Sequence, residues 1–178
     1  MMNKGLEVIE AHWLFAARAE QLSVVMHRES IVHSLVRFKD GSLLAQMGNH
    51  DMRTPIAHAL GWPQRIDAGV TPLDLAALGR LTFEPVDMGR YPCMRIAFEA
   101  LAMGGTASAI VNAANEVAVQ AFLDRKLRFD RIHEIIERTL ADSNIVTGTT
   151  LDTVLDADRD ARQRAGEHVA RYAEVDVA

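Results

Sequence analysis

The chain has 178 residues, of which 49% are hydrophobic and 24% charged, and its formal net charge is −5. This composition is typical of a globular protein and excludes a disordered chain, and it lacks the basic surface of a general nucleic-acid binder. A single cysteine, Cys93, excludes an internal disulfide, and no apolar run reaches the roughly 20 residues that span a bilayer, so we expect a cytoplasmic protein.

The first part of the sequence predicts one helix followed by a short sheet. Residues 1 to about 17 have a helical apolar period, carried by Leu6, Ile9, Trp13 and Leu14. Runs rich in β-branched residues at 22–26 and 30–38 indicate strands. The turn Lys39-Asp40-Gly41-Ser42 and the run 43–47 complete a sheet segment that ends in a hairpin.

Glycine and proline then interrupt the chain from 63 to 88, which predicts a linker. After this the apolar period is helical to the carboxyl end, with Asp130 and Thr150 as candidate caps of the third and fourth helices. The predicted fold class is therefore α+β, with a short sheet segment and flanking helices, a linker and a small helical bundle. The predicted domains are 1–62, 63–88 and 89–178.

Three polar residues lie in the first turns of the first helix. Asn3 and Glu7 are four residues apart and share a helical face, and Lys4 lies beside them. Spacing alone favours an exposed, solvated first turn. The same residue types could also bind a phosphate, a hydroxyl and a divalent metal, because lysine is a point charge, asparagine a neutral donor and glutamate a hard oxygen ligand.

Four sequence blocks resemble the 1-deoxy-D-xylulose-5-phosphate reductoisomerase family, in the family's order and over nearly the whole chain. They are Asn3-Lys4-Gly5-Leu6-Glu7, Asp51-Met52-Arg53-Thr54-Pro55-Ile56-Ala57-His58, Arg90-Tyr91-Pro92-Cys93 and Asn112-Ala113-Ala114-Asn115-Glu116. The chain resembles only the carboxy-terminal half of that enzyme. The family's NADPH-binding domain, its Asp-x-Glu metal ligands, its phosphate-binding serines and its active-site lid have no counterpart here.

The resemblance implies roles for five residues. Asn3 and Lys4 would bind the substrate's phosphate and hydroxyl groups, and Glu7 would help to bind Mn²⁺ or Mg²⁺ and serve as a catalytic residue. His33 would be a second catalytic residue, orienting substrate or handling a proton, and Met52 would lie near the nicotinamide of NADPH. From the sequence alone, His33 is more simply a partly buried, hydrogen-bonded histidine, and Met52 a packing residue.

Two departures from the family's pattern bear on local geometry. The chain has His27-Arg28-Glu29-Ser30 where the family commonly has His-Pro-Gln-Ser, and His50 stands where a proline is common. Each change removes a rigid residue from a turn. The amides Asn112 and Asn115, inside an apolar helix, are expected to bond to neighbouring backbone or to a facing domain.

Two function classes remain open. In the first, the chain is part of an NADPH-dependent reductoisomerase that acts on a sugar phosphate as a homodimer, and the isolated chain is inactive. In the second, it is a non-catalytic module that self-associates or pairs with a full-length subunit, because its sheet segment would expose edges and an apolar face. No nucleic-acid or membrane partner is expected. A genuinely short product, a gene fragment and a misassigned start are all compatible with the sequence.

Overall fold

The computed structural model describes residues 1–147 and 150–175. The chain forms two compact units, one made of Met1–Ser23 with Asp87–Ala178 and the other of Val24–Val86. Helices predominate and the strands are few and short, which confirms the predicted α+β class. Among the residues that the structure describes, no helix is long and apolar enough to cross a membrane.

In the described part of the chain, one helix is followed by three strands, two helices, a fourth strand and four further helices. The helices are α1 (Met2–Phe15), α2 (Arg53–Gly61), α3 (Leu75–Leu78), α4 (Pro92–Met103), α5 (Ala107–Leu123), α6 (Ile132–Asp142) and α7 (Leu151–Val175). The strands are β1 (Val25–Met26), β2 (Val32–Arg37), β3 (Leu43–Met47) and β4 (Glu84–Pro85). Two 3₁₀ turns, Ala19–Gln21 and Phe129–Arg131, complete the described elements.

The core of the helical unit lies around α5, which contacts both α6 and α7. The buried face of α5 is rich in small side chains, among them Ala107, Ala113, Ala114 and Ala118. Such a face lets neighbouring helices approach closely, and larger residues such as Ile135 and Ile136 on α6 fill the space between them. The predicted carboxy-terminal bundle is therefore present.

Helix α1 packs with this bundle, against α4, although the sequence placed it in a domain of residues 1–62 with the strands. Its buried residues are Met2, Gly5, Val8 and Ile9. The predicted apolar stripe was partly wrong, because Trp13 and Leu14 are 69% and 75% exposed. The helix buries its first half only, and a periodic pattern does not show how much of a helix has a neighbour.

The second unit contains two antiparallel strand pairs rather than the single sheet segment that the sequence predicted. Strands β2 and β3 form the expected hairpin, in which Gly41 has a φ of 88°, as tight turns require. Strand β1 pairs instead with β4, inside the segment 63–88 that was predicted to be a linker. That segment also contains α3. Elements this short have no periodicity that a sequence pattern could reveal.

The two predicted helix caps had different outcomes. Thr150 caps α7 as predicted, because its Oγ1 accepts the N–H of Thr153 at 3.2 Å. Asp130 does not cap α6, since its carboxylate pairs with Arg128 at 2.8 Å. The residue before α6 is Arg131, whose side chain makes no capping bond. The Asp130 carboxylate therefore forms a local ion pair instead of the predicted cap.

Candidate functional site

The polar face of α1 brings the three candidate substrate and metal residues together. Lys4 Nζ donates to Glu7 Oε2 at 2.6 Å, and the two side chains remain 49% and 53% exposed. Asn3 is also exposed, one residue before Lys4. The opposite side of the helix is buried at Gly5 and Ile9. The structure therefore presents a cation, an amide and a carboxylate on one solvent-facing helical surface.

The donor set of this face fits part of a divalent metal site. Glu7 is a hard oxygen ligand of the kind that Mg²⁺ and Mn²⁺ prefer, and its present partner is Lys4. Within residues 1–147 and 150–175, no group of three or more His, Cys, Asp or Glu side chains could hold a metal ion. Glu7 can thus supply one ligand, and a complete site needs others.

His33 lies in the hairpin unit at an irregularity of strand β2. The register of the β2–β3 pair shifts between Val32 and Ser34, so His33 is the extra residue of a bulge. Its Nδ1 is 3.1 Å from Gln46 Oε1, and the exposed ring lies 6.3 Å from that of His50. The side chain is exposed rather than partly buried, as is every later residue of β2, so neither face of this strand is covered within its unit.

Met52 precedes α2 in the same unit and is 71% exposed. On either side of it, Asp51 and Arg53 form an ion pair, with Arg53 Nη2 2.6 Å from Asp51 Oδ2. Hydrogen bonds from the Arg53 side chain lower the pKa of Asp51 to about 2. Arg53 Nη1 also donates to the carbonyl of Gly69 at 3.1 Å. Polar bonds therefore fix the turn before α2, and the side chain of Met52 is exposed to solvent.

The departure at residues 27–30 forms a set of polar bonds to the strand β4 region. His27 Nε2 accepts the N–H of Ile31 at 3.1 Å, so Nδ1 carries the proton and lies 2.9 Å from the Thr82 carbonyl. The His27 side chain is only 5% exposed and stacks on Phe83 with 4.7 Å between ring centroids. The sequence did not indicate this arrangement, since Thr82 and Phe83 lie more than 50 residues from His27.

Arg28 and Glu29 also form hydrogen bonds to the same region. Arg28 Nε donates to Glu84 Oε1 at 2.9 Å, and Glu29 Oε1 accepts the Thr82 hydroxyl at 2.7 Å. The hydrogen bond from the Thr82 side chain is the main cause that lowers the pKa of Glu29. Side-chain bonds can hold this turn where a proline would otherwise restrict it.

Asn112 of α5 takes part in a set of polar bonds at the contact of α5 with α7. Asn112 Nδ2 donates to Glu116 Oε1 at 3.1 Å, and Glu116 Oε2 accepts from Arg162 Nη2 of α7 at 2.7 Å. The Asn112 amide group therefore bonds to a carboxylate one turn away on its own helix and not to neighbouring backbone, while the expected contact of Asn112 and Asn115 with a facing domain stays a prediction. The open groove beside these residues contains Asn115 and Arg162 but none of the predicted site residues.

Comparison with known proteins identifies the family. Residues 47–164 match the profile of the DXP reductoisomerase C-terminal domain. The chain belongs to this family. It is 61% identical over 172 residues to the 1-deoxy-D-xylulose 5-phosphate reductoisomerase of Ectopseudomonas mendocina, and 57% identical over 170 residues to that of Ralstonia nicotianae. These matches cover 97% and 96% of this chain but 44% and 43% of the relatives, so the chain spans less than half their length.

Solved reductoisomerase structures share the fold. The Zymomonas mobilis enzyme in complex with NADPH superposes with a TM-score of 0.89 at 44% identity, over 95% of this chain and 45% of that one. A DOX-P reductoisomerase in complex with NADPH, fosmidomycin and magnesium gives a TM-score of 0.90 at 42% identity, over 96% and 44% respectively. These findings confirm the family resemblance that the sequence motifs indicated.

The predicted site residues of this family member are divided between its two units. Asn3, Lys4 and Glu7 lie on α1 of the helical unit, and His33 and Met52 lie in the unit of residues 24–86. The family profile begins at residue 47, so it includes Met52 and leaves out the α1 motif and His33. The roles assigned to these five residues stay predictions.

Proposed function

We propose that this chain is the carboxy-terminal part of an NADPH-dependent reductoisomerase that converts 1-deoxy-D-xylulose 5-phosphate to 2-C-methyl-D-erythritol 4-phosphate. The observation that carries the proposal is the 61% identity, over 97% of the chain, to a relative named as that enzyme. The exposed amide, cation and carboxylate on α1 support it, because they have the chemistry to bind a phosphorylated polyol and a metal.

Each candidate residue has a role that suits its chemistry. Lys4 would bind phosphate oxygens as a point charge, and Asn3 would donate a hydrogen bond to a substrate oxygen. Glu7 would leave Lys4 to become one ligand of Mg²⁺ or Mn²⁺. When bound, such a metal stabilises negative charge on substrate oxygens during the rearrangement.

Two residues of the other unit have proposed roles of their own. With Nδ1 of His33 held by Gln46, the ring would keep one orientation and offer Nε2 to the substrate. Met52, exposed at the start of α2, would cover one face of the nicotinamide. NADPH would supply hydride to reduce the rearranged aldehyde.

We propose further that catalysis requires the part of the enzyme that this chain does not match. Glu7 is the one carboxylate among the proposed site residues, and the relatives are more than twice as long as the matched region. The isolated chain is therefore expected to oxidise no NADPH in the presence of substrate and Mn²⁺. NADPH oxidation by the pure chain that is lost in Glu7→Ala would contradict this expectation.

A fusion protein tests the proposed function directly. The segment of the Ectopseudomonas mendocina enzyme that precedes the matched region is joined to Met1, and NADPH oxidation is followed with 1-deoxy-D-xylulose 5-phosphate and Mn²⁺. We expect turnover, and at least a roughly 10-fold higher Mn²⁺ requirement in Glu7→Gln, because even residues around metal ligands change affinity by about 10- to 100-fold. Glu10→Gln, an exposed carboxylate on the same helix, is the matched control.

The outcomes of this experiment separate the alternatives. Turnover with a Mn²⁺ requirement changed by Glu7→Gln and unchanged by Glu10→Gln supports the assignment. A folded fusion protein without turnover, or equal Mn²⁺ dependence in both variants, would refute it.

A non-catalytic role in self-association is the second candidate, and the hairpin unit favours it. Val36, Phe38, Leu43 and Leu44 of the β2–β3 hairpin are all more than half exposed. Both strand pairs have only two strands, so each leaves unpaired backbone edges, and such edges with apolar side chains promote association. We propose that the chain forms a homodimer in the cytoplasm. Light scattering tests the association, and a sharp monomer at high concentration would count against it.

A further inference from the structure

The helices α1 and α4 meet at a point where there is no room for a side chain on α1. A Cβ atom built on Gly5 would lie 2.6 Å from the Cβ of Ala97 and 3.4 Å from the carbonyl oxygen of Cys93. Both Gly5 and Ala97 are buried, and Ala97 has no exposed surface. Because the Ala97 methyl group is attached directly to the α4 backbone, it has no rotamer that could avoid the contact.

The contact lies inside the motif that carries the candidate substrate and metal residues. Lys4 directly precedes Gly5, and Glu7 follows it by two positions, on the side of α1 that faces solvent. Met2 anchors the start of the helix in the bundle core, where it is 6% exposed. The distance between α1 and α4 at Gly5 therefore sets how far the polar face stands out from the bundle.

We propose that Gly5 and Ala97 are positioning residues, whose close contact sets the placement of Asn3, Lys4 and Glu7 toward substrate and metal. This inference rests on the proposed function. Carbon atoms in contact are ordinarily about 3.5–4.0 Å apart, so a methyl group on residue 5 would displace α1 by roughly 1 Å. A misplacement of about 1 Å can lower catalysis on the order of 100-fold, even when no reacting group is changed.

The test uses the active fusion protein and moves the methyl group at this contact from α4 to α1. Gly5→Ala is expected to lower kcat/KM about 100-fold and to raise the Mn²⁺ requirement, because Glu7 moves with the helix. The double variant Gly5→Ala with Ala97→Gly restores the total side-chain volume at the contact. It is expected to recover most of the lost activity and to lower the Mn²⁺ requirement again, and a loss of folded protein alone would not change that requirement.

Two control variants show whether the effect of Gly5→Ala comes from the displacement of α1 or from the substitution of a helical residue as such. Gly166→Ala makes the same substitution in α7, where nothing lies within 4 Å of the new Cβ, and it is expected to leave the kinetic constants unchanged. Ala97→Gly alone removes a methyl group without creating a clash. It is expected to change kcat/KM far less than Gly5→Ala does.

The result that overturns the inference differs from the one that overturns the proposed function. If Glu7→Gln raises the Mn²⁺ requirement while Gly5→Ala does not, or if the double variant is no more active than Gly5→Ala, the positioning role is wrong and the function stands. If Glu7→Gln has no effect on a folded fusion protein, the proposed function itself is refuted. Recovery in the double variant, with Gly166→Ala unchanged, supports the positioning role.

Discussion

Two helical glycines in this chain should respond differently to the same substitution. At Gly166, a Cβ has nothing within 4 Å, so alanine gains its helix propensity and Gly166→Ala should stabilise the protein by about 1 kcal/mol. At Gly5, the Cβ would lie 2.6 Å from that of Ala97. Overpacking typically costs about 1–3 kcal/mol, and the propensity gain offsets about 1 kcal/mol of it. Gly5→Ala should therefore range from neutral to about 2 kcal/mol destabilising.

Urea denaturation of the 178-residue chain, followed by far-ultraviolet circular dichroism, measures this difference. The helical unit dominates that signal, and the two variants should differ by about 1–3 kcal/mol in the free energy of unfolding. Equal m-values would show that the folded and unfolded states are otherwise comparable. If Gly5→Ala stabilises the chain as much as Gly166→Ala does, the close approach of α1 to α4 is refuted.

Three further predictions concern the bundle. Ile136 is fully buried, so Ile136→Ala should lower the free energy of unfolding by about 2–5 kcal/mol in urea titrations, and a loss below 1 kcal/mol would contradict its core position. The Tyr172 hydroxyl donates to Glu134 and lowers the pKa of that carboxyl below its ordinary 4.5, so this stabilisation is present above pH 4.5 and is lost as the pH falls through the folded-state pKa. Tyr172→Phe should cost about 1 kcal/mol at neutral pH and less in acid, and a pH-independent loss would count against the bond. The half-exposed pair of Arg162 and Glu116 should contribute little, so Glu116→Gln should cost less than about 1 kcal/mol by the same titration.

Local features of the chain were predictable because they depend on neighbours in the sequence. The hairpin turn from Lys39 to Ser42 is an example, since Gly41 adopts the positive φ and Ser42 bonds to the Asp40 carboxylate within the turn. The Thr150 cap and the helices of the bundle followed from the same kind of local pattern. The Asp130 cap failed although its signal was local, because two chemically reasonable partners competed for one carboxylate.

The candidate site was predictable only as a set of residue types. The sequence placed Asn3, Lys4 and Glu7 on one helical face, and the structure shows Lys4 and Glu7 in contact there. It did not indicate that His33 lies in a bulge, because a bulge depends on the register with the partner strand. Nor did it indicate that His27 bonds to Thr82, since that partner is distant in the chain.

The sequence by itself determined the family, the helical periods, the hairpin and the polar face of α1, because each of these is encoded by residues a few positions apart. Only the tertiary structure decided that β1 pairs with β4, that α1 packs with the bundle and that Gly5 touches Ala97. These features depend on contacts between segments about 60 to 90 residues apart, whose free energy arises from burial and fit between surfaces. Periodicity gives the face that a helix buries, and only the folded chain gives the surface that it meets.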